Sequence, residues 1–128
     1  MKTIENHLSI HSNALNLRGK RNKILASNIA NAATPHFKAR DIDFDLEMRK
    51  KEKIGDILVN HDKHFALLSG VRPNDVMFRQ PLNPSLDGNT VEMAVEQMEF
   101  SENVVRYQTT LQFLTNKISG LMSAIKGE

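Results

Sequence analysis

With 128 residues the chain is long enough for one modest domain, but no Trp, one Tyr and six Phe argue against a bulky core and favour an elongated helical protein. Its 17 basic and 15 acidic residues leave a formal charge of +2, a bias too weak to require a nucleic-acid partner. The absence of Cys excludes disulfides and thiol chemistry.

The first predicted element is an N-terminal coiled-coil helix over residues 1–34. Alternating steps of four and three residues trace a mostly apolar stripe along it. That stripe consists of Ile4, Leu8, His11, Leu15, Arg18, Asn22, Leu25, Ile29 and Ala32. A second stripe lies beside it and consists of Ile10, Ala14, Leu17 and Ile24. Two stripes predict that the helix contacts more than one neighbour.

The last turns of this helix, ASNIANAAT, are rich in alanine and asparagine. Ala26, Ala30 and Ala33 share one face, where small side chains let a second helix backbone approach closely. Asn28 and Asn31 are unfavourable inside a helix unless they are hydrogen bonded, so we predict bonds from them to other chains of a crowded assembly. Two exposed asparagines on an ordinary helix are the alternative.

Pro35 should end the helix, because it pushes the preceding residue out of the helical region, and a loose middle over residues 35–89 follows. FKARDIDFDL at 37–46 alternates apolar with charged residues and indicates a short strand or an extended strap, unless Asp43 caps a brief helix through Arg49. The remainder is predicted to be loop-rich, with short strands at residues 57–59 and 76–78.

The C-terminal segment, residues 90–128, has the clearest pattern, a coiled-coil seam with a step of about 3.5 residues. Its positions are Met93, Gln97, Phe100, Val104, Tyr107, Leu111, Leu114, Ile118, Leu121 and Ile125. Asn89 and Glu92 are spaced as a capping box, and Gly127 follows as a candidate C-cap. The helix is therefore expected to run from about Thr90 to Lys126.

Together these elements predict a mainly α fold in which the two terminal helices pack as a coiled coil and form one rod-core domain. Their seams contain more apolar positions than one pair of helices can cover, so we expect other chains to bury the rest. Complementary charges beside the seams could set register, with solubility alone as the alternative. They are Arg18, Lys20, Arg21 and Lys23 on the first helix and Glu92, Glu96, Glu99 and Glu102 on the second.

Catalytic and ligand-binding patterns are weak. The six glycines form neither a GxGxxG nor a phosphate-loop motif, so we expect no enzyme activity and no cofactor. Two histidine pairs have spacing that could share a metal, namely His7 with His11 and His61 with His64. No further ligand lies near either pair in sequence, which favours solvent-facing histidines and no metal site.

The basic run at residues 49–53 is interrupted by glutamate and has no interleaved aromatic residue, which favours a solvated surface. A small basic helical hairpin that binds nucleic acid is the alternative function. Residues 1–20 contain no apolar run of the signal-peptide type, and no stretch of about 18 apolar residues occurs. We therefore expect neither a cleaved signal peptide nor a membrane span.

ASNIANAATPHFKARD resembles the N-terminal motif of the flagellar rod, hook and hook-associated axial proteins. The matching residues are Asn28, Ile29, Ala30, Asn31, Thr34 and Pro35. NPSLDGNTV at 83–91 and the C-terminal helix resemble the proximal rod members of this family. His36 and Phe37 stand where the family usually has Gly and Tyr. Histidine resists a positive φ, so we expect a turn that differs or does not need that conformation.

This resemblance implies a non-enzymatic structural subunit of the proximal rod of the flagellar basal body, which transmits torque from the membrane ring to the distal rod and hook. It implies type III export without a cleaved signal, and helical assembly in the periplasm around a channel. Implied partners are copies of itself, FlgC, FlgF-like rod proteins, the adaptor FliE, the membrane ring and the export apparatus, with no nucleic acid and no small-molecule substrate. The motif residues, including Phe37, and the apolar seam positions from Leu8 to Ile29 and from Phe100 to Ile125 would pack subunits together.

Overall fold

A computed structural model describes residues 2–51 and 76–127 of the chain, with side chains in the first helix from residue 8 onward. Five elements follow one another along the described residues. They are α1 (Lys2–Ala30), β1 (Arg40–Ile42), α2 (Phe44–Lys51), β2 (Val76–Phe78) and α3 (Met93–Lys126). The mainly α fold, with two long terminal helices joined by an irregular middle, is confirmed.

The two long helices pack side by side and run antiparallel. Asn28 near the end of α1 contacts Glu96 near the start of α3, whereas Arg18 contacts Asn103 further along α3. This pairing brings residues from both ends of the chain into one structural unit, against which α2 and β1 also pack through α1.

α1 ends before the proline that was expected to stop it. Its last helical residue is Ala30, and residues 31–34 continue as tight turns in which the Ala32 and Thr34 amides reach back to carbonyls three residues earlier. The side chain of Asn31 also donates to the Ser27 carbonyl at 2.8 Å. Tightening of the backbone at residue 31, rather than Pro35, therefore sets the helix end.

The middle contains both structures that the alternation at 37–46 allowed. β1 pairs with β2 as an antiparallel ribbon in which Asp41 faces Met77. Asp43 then begins α2, because its Oδ1 accepts the Leu46 amide at 2.9 Å. The strand predicted at 76–78 is β2, and the strand predicted at 57–59 lies outside the described residues.

α3 begins later than expected. Glu92 is its N-cap residue and makes no side-chain capping bond, so the capping box predicted for Asn89 is wrong. The other end follows the prediction, since Gly127 adopts a φ of 77° and its amide donates to the Ser123 carbonyl at 3.0 Å.

Buried side chains among the described residues are as often polar as apolar. The buried apolar residues are Ala14, Leu17, Leu25, Ala39 and Ile42, and the buried polar residues are Asn28, Glu47, Asn89, Glu96 and Asn103. So small an apolar core leaves the geometry of the fold to depend on specific hydrogen bonds. None of the described helices combines the length and apolar character needed to cross a membrane.

Candidate functional site

Asn28 is buried where α1, β1 and α3 meet. Its Nδ2 donates to the Arg40 carbonyl at 2.7 Å and to Glu96 Oε2 at 3.0 Å, and its Oδ1 accepts the Arg40 amide at 3.1 Å. The side chain thus pairs with the backbone at the start of β1 as a neighbouring strand would. The prediction that Asn28 bonds another chain needs correction, because its side chain is 1% exposed and bonds within its own chain.

Asp41 of β1 lies between two arginines. Arg21 donates to it through Nε at 2.9 Å and Nη2 at 2.8 Å, and Arg79 also bonds Oδ2 of the same carboxylate. Arg79 Nη1 reaches Glu96 Oε1 at 3.0 Å, and Arg21 Nη2 reaches Glu99 Oε2 at 2.7 Å. Charges therefore alternate along a chain of side chains from α3 through the ribbon to α1. This polar network consists of Arg21, Asn28, Asp41, Arg79, Glu96 and Glu99.

Within the polar network, the electrostatics favour the charged forms of Asp41 and Arg21. Burial acts to raise the pKa of Asp41, but hydrogen bonds from Arg21 and the Ile42 amide outweigh it and hold that pKa below its usual value. The hydrogen bond to Asp41 likewise raises the pKa of Arg21. The fold thus depends on an ionised Asp41.

Acid should weaken the fold through Asp41. Because the folded-state pKa is the lower one, the stabilisation is complete above the unfolded value of about 3.9 and is lost as pH falls through the folded-state pKa. Urea denaturation should show a midpoint that drops as the pH is lowered from about 5 to about 3. Asp41→Asn should flatten this drop, whereas the exposed control Asp45→Asn should keep it. An unchanged acid profile in Asp41→Asn would contradict the assignment.

Asn103 forms a second polar contact between α1 and α3. Its Nδ2 donates to the Arg18 carbonyl at 2.9 Å and to Asn22 Oδ1 at 2.8 Å. Asn103 and Glu96 are seven residues apart and share the face of α3 that meets α1. Polar residues at heptad spacing thus set the register of the two helices.

A set of hydrogen bonds, here called the clasp, joins residues 36–39 to residues 87–90. The Thr90 amide donates to the Phe37 carbonyl at 3.0 Å, and Thr90 Oγ1 accepts the Ala39 amide at 2.8 Å. The His36 amide donates to the Asp87 carbonyl at 3.1 Å. The chain that leaves α1 is therefore held against the chain that enters α3.

Asn89 lies within the clasp and bonds the turns that follow α1 instead of capping α3. Its Nδ2 donates to the carbonyls of Asn31, Ala32 and Thr34 at 2.8 to 3.2 Å, beyond the last residue of α1. Its Oδ1 accepts the Val91 amide at 2.8 Å. A residue distant in sequence thus fixes the turns that follow α1 against the chain that enters α3.

Comparisons with known proteins converge on one family. A family model described as flagella basal body rod protein matches residues 8–38. The flagellar basal body rod protein FlgB of Cereibacter sphaeroides is 54% identical over 128 residues, covering 100% of both chains. The chain belongs to the FlgB family of flagellar basal body rod proteins. The FlgB protein of Aeromonas hydrophila is 48% identical, and the match covers 93% of this chain and 92% of that protein. The FlgB protein of Salmonella typhimurium is 40% identical, with 94% of this chain and 93% of that protein covered.

The residues matched by the rod-family model, 8–38, contain Asn28 and end within the clasp. In this FlgB-family chain Ile29, Asn31 and Phe37 are half-buried, whereas Ala30, Thr34 and Pro35 are exposed. Thr34 Oγ1 donates to Asn31 Oδ1 at 3.1 Å. The motif therefore combines contacts that shape the end of α1 with small residues on the surface.

His36 of this FlgB-family chain adopts a φ of 60°, the left-handed conformation that histidine was expected to resist. The turn therefore keeps the backbone geometry that glycine permits. Its ring lies against Gly88, where an added Cβ would come within 3.0 Å of Nδ1. Gly88 itself has a φ of 72°, so both sides of the clasp turn through the same region of backbone space.

His36→Gly should stabilise the protein by about 0.5–1 kcal/mol, because relief of the left-handed strain exceeds the added flexibility of the unfolded chain. His36→Ala is the matched control, since it removes the ring but keeps the strain. Urea denaturation midpoints should rank Gly above both Ala and the original histidine. Equal midpoints for Gly and Ala would show that the backbone carries no strain.

The apolar seam predicted for this FlgB-family chain is only partly covered. In α1, Leu25 is buried and Leu8, Leu15 and Ile29 are half-buried. In α3, the half-buried seam residues are Phe100, Val104, Tyr107, Leu114 and Leu121. The exposed ones are Met93, Gln97, Leu111, Ile118 and Ile125, the last 85% exposed. α1 meets α3 slightly to one side of the seam, along Glu96 and Asn103, which leaves part of the seam open.

The charge pairs expected across the two helices form only in part. Arg21 bonds Glu99, but Glu102 bonds Arg106 of its own helix, and Glu96 bonds Arg79 from beyond β2. Sequence reasoning missed Asp41 and Arg79, since neither lies on a periodic stripe. Glu96 and Asn103 had a detectable signal in their seven-residue spacing, which a search for apolar periodicity passes over.

The remaining ligand predictions concern residues that the structure describes only in part. Within residues 2–51 and 76–127 no cluster of His, Asp and Glu could hold a metal ion. His61 and His64 lie outside the described residues. The described part of the basic run lies on α2, where Lys50 pairs with Glu47, and nothing in it favours nucleic acid.

Proposed function

We propose that this FlgB-family chain is a structural subunit of the proximal rod of the bacterial flagellar basal body, without catalytic activity. It assembles helically with other rod proteins and transmits torque from the membrane ring to the distal rod and hook. The observation that carries the proposal is the open seam on α3, where Leu111, Ile118 and Ile125 expose apolar surface that another chain would bury. Contiguous exposed apolar surface marks interaction sites.

The polar network and the clasp are suited to a subunit that bears mechanical load. Asp41 is held by two arginines that reach Glu96 and Glu99, so the ribbon is tied to α3 at two points. Hydrogen bonds between charged groups are stronger than those between neutral groups. Force applied to the middle of the subunit is thereby passed to both long helices.

Association with other flagellar rod components follows from the family. We propose in addition that the direct partners are other copies of the chain, FlgC, FlgF-like rod proteins, the adaptor FliE and the membrane ring. The subunit would pass unfolded through the flagellar type III export apparatus without a cleaved signal and fold in the periplasm. The divisions at residues 34 and 89 remain our proposed boundaries between rod-core helices and middle segment.

Leu111→Asp should abolish rod assembly, because it puts a charge into a seam that assembly would bury, while the exposed position spares the fold of the subunit. Gln112→Asp is the matched control on the neighbouring polar face. Each variant would be expressed in a flagellated host that lacks its own FlgB-family protein, and soft-agar motility and electron microscopy of basal bodies would be recorded. Normal rods with Leu111→Asp would show that the α3 seam is not an assembly surface.

A further inference from the structure

Arg18 lies in a cleft of about 280 Å³ formed where α1, α2 and α3 meet. Arg21 and Arg106 line the same cleft, together with Phe44, Asp45 and Glu102. Arg18 Nε is buried and has no hydrogen-bond partner among the residues that the structure describes. A buried donor without an acceptor is unusual in a folded protein, and it shows that the chain's own groups leave the Arg18 guanidinium incompletely bonded.

Within its own chain the Arg18 guanidinium makes few contacts. Nη1 donates to Asn103 Oδ1 at 3.4 Å, and the guanidinium carbon lies 4.1 Å from the centre of the Phe44 ring. Stacking on the ring fixes the orientation of the guanidinium but neutralises none of its charge. Burial lowers the pKa of Arg18, and the charges of Arg106 and Arg21 act in the same direction. The charges of Asp45 and Glu102 offset only part of this. An additional negative charge would therefore be favoured here.

The carboxylates that line the cleft are held elsewhere. Glu102 accepts from Arg106 Nε at 2.7 Å, and Asp43 accepts the Leu46 amide at the start of α2. Asp45 influences Arg18 only through its charge, without a hydrogen bond. Three acidic side chains around the cleft also disfavour a doubly charged phosphate, so a single carboxylate suits this site better.

We propose that this cleft binds a carboxylate side chain of an adjacent rod subunit, with Arg18 as its anchor. The carboxylate accepts from the two terminal nitrogens of Arg18 in the paired geometry that guanidinium groups favour, while Nε stays enclosed by the chain's own atoms. Phe44 holds the guanidinium from behind. This inference rests on the proposed rod function and extends it, since the cleft lies beside α2, away from the open seam on α3.

Arg18→Gln tests the cleft, with Lys23→Gln as the matched loss of an exposed positive charge on the same helix. Circular dichroism and thermal melting of purified Arg18→Gln should match the original chain, because Arg18 makes one long hydrogen bond and one ring contact. Basal bodies per cell should fall roughly tenfold or more with Arg18→Gln and stay unchanged with Lys23→Gln. Cells that carry Arg18→Glu should be non-motile. Suppressor mutations that restore their motility should replace an Asp or Glu of a rod subunit with Lys or Arg.

Normal basal bodies with Arg18→Gln would overturn the cleft proposal, and the rod function would stand if Leu111→Asp still blocked assembly. Normal basal bodies in both variants would overturn both proposals. Thermal melting in inorganic phosphate independently tests whether the cleft binds a free anion. A phosphate-dependent rise in Tm for the original chain but not for Arg18→Gln would assign the cleft to a free anion and overturn the subunit contact. If phosphate leaves the Tm unchanged and suppressors of Arg18→Glu change an acidic residue of a rod subunit to a basic one, the subunit contact is supported.

Discussion

Asn28→Asp is expected to destabilise the folded subunit by about 3 kcal/mol, although it changes only one amide nitrogen to oxygen. The nitrogen now donates to Glu96 Oε2 at 3.0 Å and to the Arg40 carbonyl at 2.7 Å. In the variant these contacts become acceptor against acceptor, and two carboxylates share a buried site. Arg79 bonds the other oxygen of Glu96 and relieves only part of the repulsion.

The measurement is urea denaturation followed by helical circular dichroism, with Asn16→Asp as the control on an exposed position of the same helix. A second carboxylate raises the pKa of one member of the pair, so the deficit should shrink as the pH falls from about 7 to about 5. Adding Glu96→Gln should recover part of the loss, because the Gln amide can donate to Asp at position 28. If Asn28→Asp lost no more stability than the Asn16→Asp control, the assignment of Asn28 to the polar network would be wrong.

Leu25→Ala should destabilise the subunit by about 2–5 kcal/mol, the range for removing a fully buried leucine. Leu25 is 0% exposed and is one of only two large apolar side chains so deeply buried among the described residues. So small a core has few neighbours able to collapse into the space left behind. Leu46→Ala is the control, since Leu46 on α2 is 42% exposed.

Denaturation midpoints should fall well below the original value for Leu25→Ala and change little for Leu46→Ala. The same cultures can report motility, because a subunit that loses this much of its stability should also assemble poorly. If both leucines gave equal small changes, the two long helices would not depend on an apolar core at α1, and the polar contacts would hold them alone.

Sequence periodicity located the long helices because their signal is repeated over many turns. Gly127 predicted the end of α3 correctly, and residues 76–78 were correctly predicted as a strand. These features depend on local chemistry, namely a left-handed glycine and a short run of extended residues. Local chemistry is present in the sequence whether or not the rest of the chain is folded.

The polar contacts could not be predicted from periodicity or from local chemistry. Asn89 looks like an N-cap beside α3, but its amide serves carbonyls near the end of α1, more than fifty residues earlier. Asp41 and Arg79 become partners only when the ribbon aligns them. His36 was expected to resist a positive φ, yet the clasp holds it there. In each case tertiary contacts outweighed local preference.

The contact of Asn89 with the turns after α1 also determines when the subunit can fold. The Asn89 side chain can bond the carbonyls of Asn31, Ala32 and Thr34 only after the chain through residue 89 is available. The contacts from Arg18 and Asn22 to Asn103 span still longer separations. Contacts between distant residues slow folding, since loop closure precedes the interactions that reward it. The unfolded export proposed for this chain would gain time from this arrangement, because the packing of α1 against α3 needs residues from both ends of the chain.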